Sequence, residues 1–305
     1  DGEYVTEPKS FEVFGVIERL IPVRYSHAGK SNLLIILTDL NACIVRTDDD
    51  NPNTLISEKV GTLQSSWDSE KIPIRYAIHP TCIIIQYQNF SLDVFPIQSD
   101  CTLGESFKIT TGHKKIISFQ FIGPTSKVTR LVVLTDEYNQ VNNTGKSQQT
   151  HRYDIDLTNM TYQESPAFNV VLDDSYLMIP YDLDNHSMVV VFSSQQATRV
   201  IFEELEPVVK TATLLTVDRL IKVIALSNSF HLAINSSNML YCTNIEKEGQ
   251  IILRKLGTVP HPSEFVPINS HLAFVASKTN DSQFIVINHE NYSYSSSVID
   301  TIRST

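Results

Sequence analysis

The side chains best able to do chemistry are scattered, and their spacing decides what each can be. Gly29-Lys30-Ser31 and Gly145-Lys146-Ser147 share the tail of a phosphate-binding loop. That loop needs an earlier glycine, where this chain has Arg24 and Gln140. Neither triplet opens a helical pattern, so no row of backbone N–H donors would face a phosphate. Asp48-Asp49-Asp50-Asn51 resembles the start of a calcium loop, but Asn53 stands at its glycine place and the closing Glu is missing. His27, His79, His113, His151, His186, His231, His261, His271 and His289 show no H-x-x-x-H or H-E-x-x-H spacing. No G-x-S-x-G nucleophile elbow occurs. Asp173-Asp174 and Glu203-Glu204 read as loop or surface charge. Cys43, Cys82, Cys101 and Cys242 form no C-x-x-C pair, and three lie in apolar runs, so they read as buried small hydrophobes in a reducing compartment. The N-x-S/T triplets, Asn89 and Asn142 among them, are taken as chance in an Asn- and Ser-rich chain with no signal-peptide pattern. The expected sets of catalytic, cofactor-binding and metal-binding residues are therefore empty, and the partner-binding residues are unknown.

The elements that would have to position any site are strands. Six pairs of apolar runs recur along the chain, each pair separated by a polar turn. They are Leu33–Leu37 with Ala42–Arg46, Cys82–Tyr87 with Leu92–Ile97, and Leu131–Leu134 with Tyr153–Leu157. The others are Met188–Phe192 with Thr198–Phe202, His231–Ile234 with Met239–Ile245, and Leu272–Ala276 with Gln283–Ile287. In the third pair the stretch VNNTGKSQQT reads as a disorder-like insert. Each pair reads as a β-hairpin. Further candidates, Ile116–Phe121, Ser175–Ile179 and Leu220–Leu226, bring the count to roughly four strands per repeat of ~40–57 residues. The best helical candidate, around Phe202–Val209, is limited by Pro207.

That period predicts a β-propeller of the seven-bladed type. Runs such as LLIIL, CIII and MVVVF are apolar without alternation, which means burial on both faces, as in a blade between two neighbours. Tandem β-sandwiches, the competing all-β architecture, would alternate more cleanly and need a linker that this chain lacks. Trp67-Asp68 is the only Trp-Asp dipeptide, so the fold is WD40-like without WD motifs. Residues 1–305 are expected to form one propeller domain.

Composition narrows the function. The chain has 305 residues, 42% hydrophobic and 19% charged, which excludes a disordered tail. No apolar run approaches the ~20 residues of a membrane span. A net charge of -10 argues against a phosphate-backbone surface, so neither nucleic acid nor membrane is an expected partner. Only 10 residues are glycine, few for a turn-rich fold. Asn and Asp are the next most tolerant of φ > 0. Asn89, Asn238 and Asn280 are the expected left-handed turn positions.

The segments FEVFGVIERLIPVRY (Phe11 to Tyr25) and SNLLIILTDLNACIVRTD (Ser31 to Asp48) resemble the first propeller of the large subunit of the damaged-DNA-binding complex. Its relatives include propeller subunits of the pre-mRNA cleavage and splicing machineries, and replication-repair and heterochromatin-silencing paralogues. Asn41-Ala42-Cys43-Ile44 looks like the damaged-DNA-binding branch. HPTCIIIQYQNFSLDVFPI (His79 to Ile97), LRKLGTV (Leu253 to Val259) and FVASKTNDSQFIVIN (Phe274 to Asn288) are similar to family runs in the same order. Departures mark a diverged member: His79 before Pro80 where Asp is usual, Asn89-Phe90 for Asp-Gly, Ser237-Asn238 at another glycine turn, and Asn280 for Gly.

The resemblance implies a non-enzymatic scaffold without cofactors, forming most of the first of three propellers. In the ubiquitin-ligase branch the first and third propellers hold substrate receptors, and the cullin docks on the second. The expected partners are therefore substrate receptors of a cullin–RING ligase, with the cullin on a different propeller of the parent chain. The expected setting is DNA repair or chromatin and heterochromatin regulation in the nucleus, with the cytoplasm as a second compartment. Strands expected ahead of Phe11 are missing, so the N-terminal seam is expected to be incomplete. Two alternatives stay open: a subunit of pre-mRNA splicing or 3′-end processing, and a propeller enzyme with a channel site drawn from several blades.

Overall fold

The computed structural model describes residues 17–24, 31–37, 41–47, 55–63, 75–79, 81–88, 90–98, 103–112, 114–123, 128–137, 147–165, 169–172, 174–183, 186–194, 196–202, 207–213, 218–226, 230–245, 251–259, 262–277, 282–288 and 293–298. Among them every regular element is a β-strand. The chain divides into two compact units, residues 1–112 with 156–162, and residues 113–155 with 163–305.

The first unit carries two four-stranded sheets. One runs β1 (Ile17–Arg24), β2 (Ser31–Leu37), β3 (Asn41–Thr47), β4 (Leu55–Thr62), and the other β5 (Arg75–His79), β6 (Cys82–Gln88), β7 (Ser91–Pro96), β8 (Phe107–Thr110). The second unit carries four sheets, except that Asp156, Thr161 and Tyr162, at strand ends in the third sheet, group with the first unit. The third sheet has β9 (Lys115–Ile122), β10 (Thr129–Glu137), β11 (Ser147–Asp156) and β12 (Thr161–Glu164), with β13 (Val170–Leu172) also on β11. The fourth has β14 (Ser175–Leu183), β15 (His186–Ser193), β16 (Gln196–Phe202) and β17 (Pro207–Thr213). The fifth has β18 (Leu220–Ala225), β19 (Phe230–Asn235), β20 (Met239–Ile245) and β21 (Ile251–Thr258). The sixth has β22 (Pro262–Pro267), β23 (Leu272–Ser277), β24 (Gln283–Asn288) and β25 (Ser293–Val298). Each is an antiparallel meander in chain order. The six hairpins read from the sequence are the two central strands of the six sheets. A seventh blade and an incomplete seam ahead of Phe11 concern strands outside the described residues.

The best helical candidate, limited by Pro207, is strand at its described residues: Phe202 ends β16 and Pro207 opens β17, and the two residues pair. Pro207 sits at the first residue of an outer strand, where its missing N–H leaves the interior of the ladder intact. The disorder-like insert is shorter than expected, because Ser147–Thr150 open β11 and pair with Leu134–Glu137 of β10. Polar Gln148 and Thr150 are buried there, and the Gln148 side-chain oxygen accepts the Ser175 backbone N–H, which holds a polar strand end against β14.

Burial follows the two-faced logic. β16 and β19 are buried at nearly every position. Val200 and Phe202 of β16 pack with Ile122, Val132, Leu134 and Leu172 of the third sheet. Ala197 and Ile201, on the opposite face, pack with Leu220, Ala233 and Tyr241 of the fifth. The fifth sheet then turns Leu232, Ile234 and Cys242 toward Phe265, Val275 and Ile285 of the sixth. In the first unit, Ala42 and Leu63 meet Ile83, Ile85 and Phe95.

Bulges recur at matching places. The first strand of the first, fourth, fifth and sixth sheets shifts register at its second residue, between Ile17/Arg19, Ser175/Leu177, Leu220/Lys222 and Pro262/Glu264. A bulge adds local twist and re-aims one side chain. The fourth strands β4 and β21 shift opposite Ala42/Cys43 and Leu240/Tyr241, just before Gly61 and Gly257. The segments Val60-Gly61-Thr62-Leu63 and Leu256-Gly257-Thr258-Val259 thus repeat, each ending on a buried aliphatic residue.

Three non-glycine residues among those described have positive φ: Met160 at 52°, Asp174 at 48° and Asn238 at 59°. Asn238 is one of the three expected left-handed turn residues. Asn89 and Asn280 lie outside the described residues.

Candidate interaction surface

One arrangement has the outline of catalytic machinery, and no sequence motif announces it. The cross-strand register puts Thr135 of β10 and His151 of β11 on one face of the third sheet. His151 Nε2 lies 3.0 Å from Thr135 Oγ1, and its Nδ1 lies 2.8 Å from Glu164 Oε1 at the end of β12. A hydroxyl, an imidazole and a carboxylate in that order can activate a nucleophile. The nucleophile must also meet a substrate, and here Thr135 and His151 are both 0% exposed. The Thr135 hydroxyl also lies 3.4 Å from the Gln149 carbonyl, a second place for its proton. The trio therefore works as a clamp across three strands. Spacings of 16 and 13 residues match no motif, which is why the sequence could not show it.

The other face of the same sheet carries ions. Arg152 Nη2 donates to Asp154 Oδ2 and to Ser165 Oγ, both at 3.3 Å, and Arg130 Nε lies 3.6 Å from Asp154 Oδ1. Burial lowers the Arg152 pKa, and Asp154 opposes that shift. The set ties the outer part of β11 to the residue that follows β12.

The remaining candidates do not assemble. Cys43, Cys82 and Cys242 are buried, as expected, and form no disulfide with one another, and burial pushes the Cys82 thiol up to about 12. Cys101, the Asp48–Asn51 run, Trp67-Asp68, Glu203-Glu204, His27, His113 and Gly29-Lys30 lie outside the described residues, as do Gly145-Lys146. Asp173 does too, while Asp174 accepts the Ser194 hydroxyl at an exposed turn. The same contact recurs one sheet later, where Asp218 accepts the Ser237 hydroxyl. Among the described residues no group of three His, Cys, Asp or Glu side chains gathers to hold a metal. No helix among the described residues is long and apolar enough to cross a membrane.

What the second unit does present is an apolar face. β23 and β24 alternate in burial, unlike the strands of the inner sheets. Ala273, Val275, Ile285 and Ile287 face the fifth sheet. On the opposite face Val266 and Val286 are 47% exposed, and Ile268 beyond β22 is 50% exposed. Phe274 and Phe284 form a half-buried pair there, with ring centroids 5.5 Å apart. Among the described residues of this unit the sixth sheet packs against the fifth, the fifth also against the fourth, and the fourth also against the third.

Repeated four-stranded meanders, a repeat of ~40–57 residues and inner strands without a wet face are the build of propeller blades. The family model described as RSE1/DDB1/CPSF1 first beta-propeller matches residues 2–303. The chain belongs to that family. Its fold is an all-β propeller of the RSE1/DDB1/CPSF1 first-propeller type, and the resemblance read from Phe11 to Asn288 is that of a true member. Membership supports a scaffold role, and the family's propellers are generally non-enzymatic. No curated protein matches the chain. Two of the runs that carried the resemblance lie in blade-core strands: Ala42 and Cys43 of the Asn41–Ile44 run are buried, as are Cys82 to Ile85, whereas Leu253–Thr258 belong to the half-exposed outer strand β21.

Proposed function

We propose that this chain is most of the first propeller of an adaptor subunit in a nuclear cullin–RING ubiquitin ligase, serving DNA repair or chromatin and heterochromatin regulation. Its task is to help hold substrate receptors. The cullin binds a different propeller of the parent chain. The carrying observation is the family match over residues 2–303, joined to the Asn41-Ala42-Cys43-Ile44 run that looks like the damaged-DNA-binding branch. A scaffold needs rigid blades and open surface more than reactive groups. The Thr135–His151–Glu164 clamp, with Thr135 and His151 buried, and the apolar face of the sixth sheet suit that division.

The family also serves pre-mRNA splicing and 3′-end processing, and one experiment separates the branches. Affinity purification of the full-length parent protein from cells, read by mass spectrometry, is expected to recover a cullin and substrate receptors. Recovery of small nuclear ribonucleoprotein or cleavage-factor subunits in their place would assign the RNA-processing branch. A channel-site enzyme has no supporting group of residues among those described.

A further inference from the structure

Arg199 is a cation in the wrong kind of place. It lies at the centre of β16, two residues from Ala197 and two from Ile201. Strand alternation puts all three on the face that meets the fifth sheet. Ala197 and Ile201 sit there in a cluster with Val190, Ala233 and Tyr241. Arg199 is 2% exposed, and its Nε has no hydrogen-bond partner. No carboxylate among the described residues pairs with it. Its cross-strand neighbour on β17 is Lys210, a second cation, which is exposed. Like charges directly opposite one another destabilise a sheet. A buried charge is ordinarily paired, because taking it out of water is costly.

The facing side of the same interlayer supplies a second observation. His231 and Thr243 are cross-strand partners on the fifth sheet. The His231 ring lies 5.2 Å from the ring of Tyr181 on the fourth sheet, which fixes the face they share. Thr243 Oγ1 and His231 Nδ1 are both buried without a partner. Tyr241, two residues from Thr243, has exposed Lys255 as its neighbour on β21. The interlayer therefore holds a guanidinium whose Nε has no partner and an unpaired hydroxyl, with a lysine beside it on each outer strand.

We infer that the seam between the fourth and fifth sheets is a binding site for one small oxyanion, a carboxylate or a phosphate group, held by Arg199 with Lys210 beside it. An Arg fork matches the geometry of both groups, and a desolvated charge-assisted bond is the strong kind. On a chain of net charge -10 such a site takes a single compact anion rather than a polyanion.

The test is the thermal unfolding of the full chain at pH 7 in potassium phosphate, potassium acetate or potassium chloride at matched ionic strength. Phosphate or acetate is expected to raise the midpoint over chloride by roughly 2–4 °C, the scale of a ligand near tenfold its dissociation constant. A rise with phosphate alone assigns a phosphate site, and a rise with both assigns a site open to carboxylates. Arg199→Met is expected to abolish the rise and to unfold later than the parent in chloride, since it removes an unpaired buried charge. Lys210→Met, at an exposed position, is expected to reduce the rise and decides the matter if Arg199→Met fails to fold. No rise in either oxyanion, or a rise that both variants retain, overturns the inference. A bridging water in place of an anion would give the first of those results.

Discussion

The Tyr176 hydroxyl accepts the Leu220 backbone N–H at 3.0 Å, joining the first strand of the fourth sheet to the first strand of the fifth. Tyr176 is the residue skipped by the β14 bulge, between Ser175 and Leu177. The bulge aims its ring across the seam, where the Arg219 guanidinium lies 4.5 Å from the ring centroid. Two local irregularities, one bulge and one strand start, thus become one inter-sheet fastening. Tyr176→Phe keeps the ring and the cation contact and removes only the acceptor. It is expected to cost about 1 kcal/mol in urea-unfolding experiments. A change within error would show that water replaces the hydroxyl without loss.

His231 gives the fold an acid-sensitive seam. Burial lowers its pKa from 6.5 to about 4, with the ring donating to the Pro180 carbonyl. Between those values the unfolded chain binds the proton and the folded chain does not. Stability is therefore full above about pH 6.5 and falls as the pH drops toward 4, by on the order of 3 kcal/mol at most. His79, also lowered by burial, adds loss in the same direction. His231→Gln keeps a donor for Pro180 and has no proton to gain. Urea midpoints measured from pH 7 to pH 4 should fall less steeply for this variant, and equal slopes would remove His231 as the cause.

Gly257 follows the β21 bulge and faces the edge strand. A Cβ there would lie 2.8 Å from Cε1 and Cζ of Tyr294. Gly257→Ala is expected to cost about 1–3 kcal/mol, as overpacking does. Tyr294→Ser should remove most of that difference, so a double-mutant cycle in denaturant reads the contact directly. Additive effects would place the strain elsewhere.

Much of the fold was legible because its inner strands are unambiguous. Cys82–Tyr87 and Met188–Phe192 are apolar almost throughout, and nothing but a two-faced strand suits so short a run. The outer strands were harder. β21 mixes Arg254 and Lys255 with Ile251 and Leu253, and its burial pattern matches its composition. β11 begins with polar Ser147 to Thr150, whose composition is that of a loop, and only the flanking β10 and β13 make them strand. The Thr135–His151–Glu164 clamp and the seam at Arg199 depend on register and on which sheet lies opposite. Neither is written in local spacing. Asn238 was legible for the opposite reason, since turn geometry is local.

Net charge carries a prediction about nucleic acid. At -10 the isolated chain is expected to bind duplex DNA weakly and to lose it at moderate salt. Fluorescence anisotropy across a salt series checks this. Tight binding that survives about 200 mM salt would reverse the reading of the surface.

The most direct test of the scaffold account is deletion of this propeller from the full-length parent, followed by affinity purification from cells. The account predicts that substrate receptors are lost while the cullin, docked on another propeller, is still recovered. Receptors retained without this propeller, or a parent protein that brings down splicing or 3′-end-processing subunits and no cullin, would contradict it.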